Sequence, residues 1–162
     1  MTKDQWRQKL IAARSAMPRR EVIKNSRKIT LQLLQIIDWS KIAGVSMYGS
    51  LEKLHEVDTK LFRAALHTQF PSTKLSVVSA NKDAPVPENT SEIIIVPVVG
   101  FDASLHRLGM GGGFYDRYLA RQPKALKIGL AHSAGKIEGK IDWQPHDIAM
   151  HKIITETIIY SR

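Results

Sequence analysis

The 162-residue chain contains no cysteine, which excludes disulfide bonds and thiolate metal sites. It has no uninterrupted apolar run of about 18 residues, so no membrane-spanning helix is expected. The N-terminus lacks the apolar core of a secretory signal, and a cytoplasmic location with no membrane partner is the expectation. Neither an internal repeat nor a Pro/Gly/Ser-rich linker divides the chain, so one domain over residues 1–162, acting as a monomer, is expected. A run of about five or six like charges, the mark of a nucleic-acid tail, is also missing, and nucleic acid is not an expected partner.

What is present is ordinary globular material: 43% hydrophobic and 24% charged residues, enough for a sizeable core. The charge is unbalanced, with a formal net charge of +9. Such a field attracts polyanions, among them nucleotides and substrates carrying several carboxylates. The simpler alternative is a solvated basic surface.

Hydrophobic spacing predicts a helix over 3–17, with Trp6, Leu10, Ala13 and Met17 on one stripe. Lys3, Arg7 and Arg14 fall on a narrow ridge beside it. Pro18 interrupts, and a second helix fits 20–37, with Val22, Ile29, Leu33 and Ile36/Ile37 as its apolar face. A strand around 42–48, a helix over 56–70, a strand over 74–80 and a Pro/Asn/Asp loop over 81–91 follow. The run EIIIVPVVGFD (92–102) reads as one strand buried on both faces. A helix over 114–121, strands over 125–132 and 152–160, and a loop between those strands complete the chain. Strands alternating with helices predict an α/β protein with a mainly parallel sheet and helices on both faces. Ligands bind such sheets beyond the carboxyl ends of the strands.

The stretch RLGMGGGFYDRYLA packs Gly109, Gly111, Gly112 and Gly113 between the most hydrophobic strand and a helix. A bare backbone at such a turn lets N–H groups converge on an anion at close range. The spacing fits neither the dinucleotide fingerprint G-x-G-x-x-G nor a Walker A loop. Arg107 and Asp116 bracket the glycines. Arg107 offers a planar fork to phosphate oxygens, and Asp116 offers oxygen ligation to Mg²⁺. The alternatives are a flexible turn and a first-turn Asp that stabilises a helix start. Lys127 lies within a strand and could reach the crevice. Trp143 reads as a ligand stack or a core or lid anchor, Trp39 as core, and His146 as part of a surface turn.

Several stretches, in the same order, resemble the 5-formyltetrahydrofolate cyclo-ligase family, also called methenyltetrahydrofolate synthetases. RLGMGGGFYDRYL is similar to the family signature, and KDQWRQKLIAAR to its opening basic helix. MYGSLEKLHEVDT resembles its strand and Glu-Val-Asp-Thr segment, IIIVPVVGFD the strand before the glycine loop, and PHDIAMHKIIT its C-terminal His-Asp segment. Two departures stand out: the stretch between LSVVSA and EIIIVP is shorter than in most members, and Leu105 stands where glycine is common.

The resemblance implies a three-layer, Rossmann-like cyclo-ligase fold and an ATP-dependent ring closure. 5-Formyltetrahydrofolate, possessing a polyglutamate tail or not, and ATP would give 5,10-methenyltetrahydrofolate, ADP and phosphate, with Mg²⁺ as cofactor. It assigns ATP to Lys3, Arg7, Arg14, Arg107, Gly109, Met110, Gly111, Gly112, Gly113, Phe114, Tyr115 and Asp116. Arg107 and Asp116 are the implied catalytic pair, and Asp116 with Asp147 the implied metal ligands. Glu56, Tyr48 and Tyr115 are the implied folate contacts. The alternative is a relative that binds nucleotide or nucleic acid without closing the ring.

Overall fold

A computed structural model describes residues 1–80, 85–88 and 91–162. Most of the loop expected over 81–91 lies outside the described residues. Helix α1 (Lys3–Ser15) opens the chain. The Thr2 hydroxyl accepts from the Gln5 backbone N–H at 3.2 Å, and the Gln5 side chain accepts from the Thr2 N–H at 2.8 Å. This reciprocal cap satisfies two of the donors that a helix start leaves open.

The buried face of α1 departs from the expected stripe. Ala13 is exposed, while Leu10 and Arg14 are buried. Four residues separate Leu10 from Arg14, so both fall on the inner face. The ridge of three cations therefore turns inward at its C-terminal end.

Helix α2 (Arg19–Ile36) buries Val22, Ile29 and Leu33 as expected, together with Asn25, Ser26 and Thr30. Ser26 donates to the Val22 carbonyl at 2.7 Å and accepts from the Asp58 N–H at 2.8 Å, so its burial leaves no polar group unmet. Strand β1 (Gly44–Tyr48), helix α3 (Lys60–Gln69) and strand β2 (Lys74–Val78) follow. Helix α3 starts later than the pattern predicts, because 52–54 form a 3-10 turn and His55 takes a left-handed conformation (φ 49°).

The apolar run 92–102 is not one strand. Strand β3 (Ile93–Pro97) ends at a residue with no N–H to continue the ladder. Beyond it, β4 (Gly100–Phe101) pairs antiparallel with β5 (Arg107–Leu108) in a separate hairpin. Helix α4 (Phe114–Ala120) and strand β6 (Leu126–Leu130) come next. The single C-terminal strand expected over 152–160 is also two, β7 (Lys152–Ile154) and β8 (Ile159–Ser161), paired antiparallel. Thr155 makes the turn: its hydroxyl donates to the Ile158 carbonyl at 2.8 Å and accepts from the Ile158 N–H at 3.0 Å.

The main sheet has the order β2-β1-β3-β6-β7-β8, parallel except for β8. From β1 the chain steps outward through α3 to β2, and from β3 it steps the other way through α4 to β6. Right-handed crossovers in opposite directions place α3 and α4 on opposite faces of the sheet. The order reverses between β1 and β3, so the crevice lies at their carboxyl ends, at Tyr48 and Pro97.

A large core of Ile29, Leu33, Trp39, Met47, Phe62 and the β3 isoleucines fills the space between sheet and helices. A second, smaller core of Leu10, Val99, Leu108, Ile137 and Ile141 seals α1 onto the hairpin beyond β3. Close packing there needs Gly100, since a Cβ at that position would sit 2.3 Å from Leu10 Cδ1. That small core fixes α1 beside the hairpin that leads into the glycine loop. Among the described residues, no helix is long and apolar enough to cross a membrane.

Candidate active site

Two segments face each other across the β1/β3 crevice. One, residues 49–58, follows β1 and carries Glu56. The other follows β3 through the hairpin and ends in the glycine loop at 109–113. Each bare position in that loop has its own role. Gly111 (φ +94°) and Gly113 (φ +65°) lie in the left-handed region, where a side chain is strained. A Cβ at Gly109 would meet nothing within 4 Å, so that side of the loop is open space. Met110 is 52% exposed.

The N-terminal half of α1 braces the loop. Arg7 donates from Nε to the Gly109 carbonyl at 2.8 Å and pairs with Asp4. A Cβ on Gly111 would come within 3.4 Å of the Arg7 guanidinium carbon. Lys3 forms an ion pair with Asp147 and lies 4.9 Å over the Trp143 ring. Asp147 also accepts from the Gln144 N–H at 2.6 Å. Burial acts to raise the Asp147 carboxyl, but the bonds from Lys3 and Gln144 outweigh it and hold it below the usual carboxylate range.

Under the loop, Arg107 donates from Nη1 to Asp116 Oδ1 at 2.9 Å, and the Ile148 N–H donates to the same oxygen at 3.2 Å. Strand β5 supplies the arginine and the first turn of α4 the aspartate. The Ile148 bond brings Asp116 beside the segment that carries Asp147. Arg107 is 7% exposed, and its Nε is buried without a partner. Its guanidinium lies 5.8 Å from the centre of the Tyr115 ring. The Tyr115 hydroxyl is likewise buried and unpartnered. Burial pushes that phenol up, the charge of Glu56 adds to the shift, and Arg107 opposes it.

Across the crevice, Glu56 Oε2 accepts from the Leu51 N–H at 2.8 Å. Burial raises its carboxyl above the usual range, against the Leu51 bond and the charge of Arg14. Glu56 also lines a cavity of about 510 Å³ with Arg19, Val22, Ile23, Ser50 and His55. Such a volume lies within the range of small-molecule sites. Tyr48 is buried and donates to the Val57 carbonyl at 2.8 Å. Its hydroxyl is therefore spent on holding the Glu56 segment.

Arg14 stands with this second group. His55 Nδ1 donates to the Arg14 carbonyl at 3.2 Å, and His132 Nε2 donates to the His55 carbonyl at 3.1 Å. The third link is Asn25, 3.5 Å from His132 Nδ1. Burial holds the His132 imidazole below its ordinary range, so it is neutral here and donates from Nε2.

Two sequence readings change in this light, and a third is decided between its alternatives. Phe114 packs its ring in the core against Tyr115 and Tyr118, leaving only its backbone for a nucleotide. Lys127 does not enter the crevice. It sits near the start of β6 and donates to the carbonyls of Gln122 at 3.2 Å and Ala125 at 3.1 Å. Trp143 is an anchor: its indole N–H donates to Asp102 at 2.5 Å and its ring stacks on His106. His132, His55 and Asp102 escaped the sequence reading. The available signal was position, because His132 and Asp102 both lie just beyond the carboxyl ends of buried strands.

Asp116 lies under the loop and, through the Ile148 N–H, beside the segment that carries Asp147, and no cluster of three metal-ligating side chains exists among the described residues. That donor set fits Mg²⁺, which is bound by one or two carboxylates together with phosphate oxygens and water.

Sheet order, crevice and glycine loop define a doubly wound α/β protein with a cation-braced glycine loop at its switch point. The chain belongs to the 5-formyltetrahydrofolate cyclo-ligase family, whose family model matches residues 54–156. It is 35% identical over 77 residues to the 5-formyltetrahydrofolate cyclo-ligase of Escherichia coli K12, a stretch covering 46% of this chain and 42% of that protein. It is 46% identical over 55 residues to the Haemophilus influenzae protein of that name, covering 33% and 29%. The chain thus spans less than half the length of these curated relatives in the stretches that match. The fold is that of two solved structures. One is a 5,10-methenyltetrahydrofolate synthetase from Mycoplasma pneumoniae (TM-score 0.80, 24% identity, 96% of this chain and 99% of that one). The other is the Aquifex aeolicus 5,10-methenyltetrahydrofolate synthetase (TM-score 0.77, 25% identity, 99% and 93%).

Proposed function

We propose that this protein is a cytoplasmic, monomeric 5-formyltetrahydrofolate cyclo-ligase that uses Mg·ATP to form 5,10-methenyltetrahydrofolate, ADP and phosphate. The observation that carries the reading is one juxtaposition. A glycine loop braced by Arg7 and by the Arg107–Asp116 pair lies across one crevice from the half-buried carboxylate of Glu56.

The chemistry requires both sides. A formyl oxygen is a poor leaving group, so it first takes the γ-phosphoryl group from ATP, and ADP departs. N10 then attacks the activated formyl carbon, loses its proton, and phosphate leaves as the ring closes. Phosphoryl transfer depends mainly on positioning and charge neutralisation. The open backbone at Gly109, Met110, Gly111 and Gly112 cradles the triphosphate, with the Phe114 N–H at the end of the loop. Lys3, Arg7 and Arg107 neutralise its charge. Asp116 and Asp147 would hold Mg²⁺, which supplies further charge neutralisation at the phosphates. Glu56 accepts from the pteridine's donor groups, Tyr48 fixes the segment carrying it, and Tyr115 stands between the two ligands. The net charge of +9 suits a polyglutamylated folate.

The test is spectrophotometric. Purified protein, 5-formyltetrahydrofolate and Mg·ATP should produce the near-ultraviolet absorbance of the methenyl product, and omitting ATP should abolish it. No signal with ATP binding intact by calorimetry would sink the reading.

A further inference from the structure

Lys3, Arg7 and Arg14 share a ridge in sequence, yet the structure divides them. Lys3 and Arg7 engage Asp147 and the glycine loop. Arg14 lies about 16 Å beyond Lys3 along the helix axis, at roughly 1.5 Å per residue. Its backbone carbonyl accepts from His55, the residue before Glu56. It is 6% exposed, and its Nε and Nη2 are buried with no partner. A buried guanidinium with two unmet donors is expensive unless a ligand meets them.

We propose that Arg14 is a specificity-determining residue on the folate side of the crevice, reading the pteridine 4-oxo group beside Glu56. The inference rests on the cyclo-ligase reading and names a contact within it. A 2-amino-4-oxopteridine presents, in order along one edge, the amine donor, the N3–H donor and the O4 acceptor. A carboxylate takes the two donors, and the next position then needs a donor from the protein. Glu56 spends Oε2 on Leu51 and faces the cavity. Arg14 brings unmet N–H groups into the same electrostatic neighbourhood, where its charge and that of Glu56 act on each other. The His132–His55 chain ties the Arg14 backbone to the segment that carries Glu56. The 4-amino ring also lacks the N3–H, so Glu56 by itself disfavours it, and the share of Arg14 is read as the change in preference when Arg14 is replaced. With Arg14, the exchange sets donor against donor.

Calorimetric binding without ATP tests this, using 5-formyltetrahydrofolate and its 4-amino-4-deoxy analogue as probes. The wild-type protein is expected to prefer the 4-oxo compound by about tenfold or more, the scale of one charge-assisted hydrogen bond. Arg14→Met should reduce that preference by about threefold or more, with Mg·ATP affinity changed by less than about twofold. Arg14→Lys keeps the charge without the fork and should fall between; it carries the test if Arg14→Met does not fold. An unchanged preference in a folded Arg14 variant overturns the proposal, as does a tenfold loss of Mg·ATP affinity with folate binding intact. If the wild-type protein binds both probes equally, the Arg14 contact fails alone. If it binds neither and forms no methenyl product, the cyclo-ligase reading itself has failed.

Discussion

Arg107 and Asp116, nine residues apart in sequence, meet at 2.9 Å beneath the glycine loop, and the arginine's Nε remains buried and unmet. The pair joins strand β5 to helix α4 across the loop and leaves one donor directed away from its partner. It is a strut, and in the proposed function it is also part of the nucleotide site.

Removing either member should therefore affect both roles. Arg107→Ala is expected to weaken Mg·ATP binding and lower kcat/KM for ATP by about a hundredfold or more. It should also destabilise the fold by about 1–3 kcal/mol, because Asp116 loses its charged partner. Asp116→Ala should give a comparable loss of turnover. Circular dichroism and calorimetry on both variants separate folding from binding. Full ATP turnover in folded Arg107→Ala and Asp116→Ala would refute the assigned roles.

The glycines should separate by conformation. Gly111→Ala and Gly113→Ala force a Cβ into left-handed backbone and should each lower stability by about 1 kcal/mol or more. At Gly111 the added Cβ also crowds Arg7 at 3.4 Å. Gly109→Ala points into open space and should leave stability within about 0.5 kcal/mol of the wild type. If that space is where phosphate sits, its KM for ATP rises several-fold although its melting temperature does not change. Thermal melts and initial rates on the three variants decide this.

Leu105 should reverse the usual order of substitutions. Its φ of +61° places it in the left-handed region, at a cost of about 1–2 kcal/mol for a residue with a Cβ. Its side chain is buried, which contributes about 1.5–3 kcal/mol and offsets the strain. Leu105→Ala keeps the strain and loses the burial, whereas Leu105→Gly loses both. Glycine should therefore be the milder change, with a higher urea midpoint than alanine. A lower midpoint for Leu105→Gly would refute the account.

Glu56 should trade stability for function. Its folded carboxyl is raised by burial, so the folded protein holds that proton to higher pH than the unfolded chain. Stability falls as pH rises from the ordinary glutamate value toward the raised one. Glu56→Gln removes that loss. It should melt higher than the wild type at pH 7, with the difference closing as pH falls below the ordinary glutamate value of about 4.3, where the carboxyl protonates in both states. The same variant should lose most of its affinity for 5-formyltetrahydrofolate. Equal melting temperatures at pH 7 would count against the buried, ionised carboxylate.

The alternation of strand and helix patterns was enough to define the α/β class, because buried strands read as continuous apolar runs and helices as 3.6-residue stripes. The glycine loop and its bracketing charges were legible as a local cluster between a hydrophobic strand and a helix, although the pattern alone left a flexible turn as the alternative. Strand ends were less legible. The run 92–102 hides the break after Pro97, and 152–160 hides the Thr155 turn, since hydrophobicity alone does not record which ladder a residue joins.

The sequence by itself determined the fold class, the glycine loop and the identity of the charged groups around it. Tertiary structure alone decided how those groups divide. On a helical ridge Lys3, Arg7 and Arg14 look equivalent, because periodicity reports an angle about the axis and not what each turn of the helix faces. Packing of α1 by Leu10 onto Gly100 sets its height over the strands, so Arg7 meets the glycine loop while Arg14 is buried beside the Glu56 segment. The electrostatic state of Glu56 and the unmet donors of Arg14, Arg107 and Tyr115 are products of burial, and burial is a property of the assembled core.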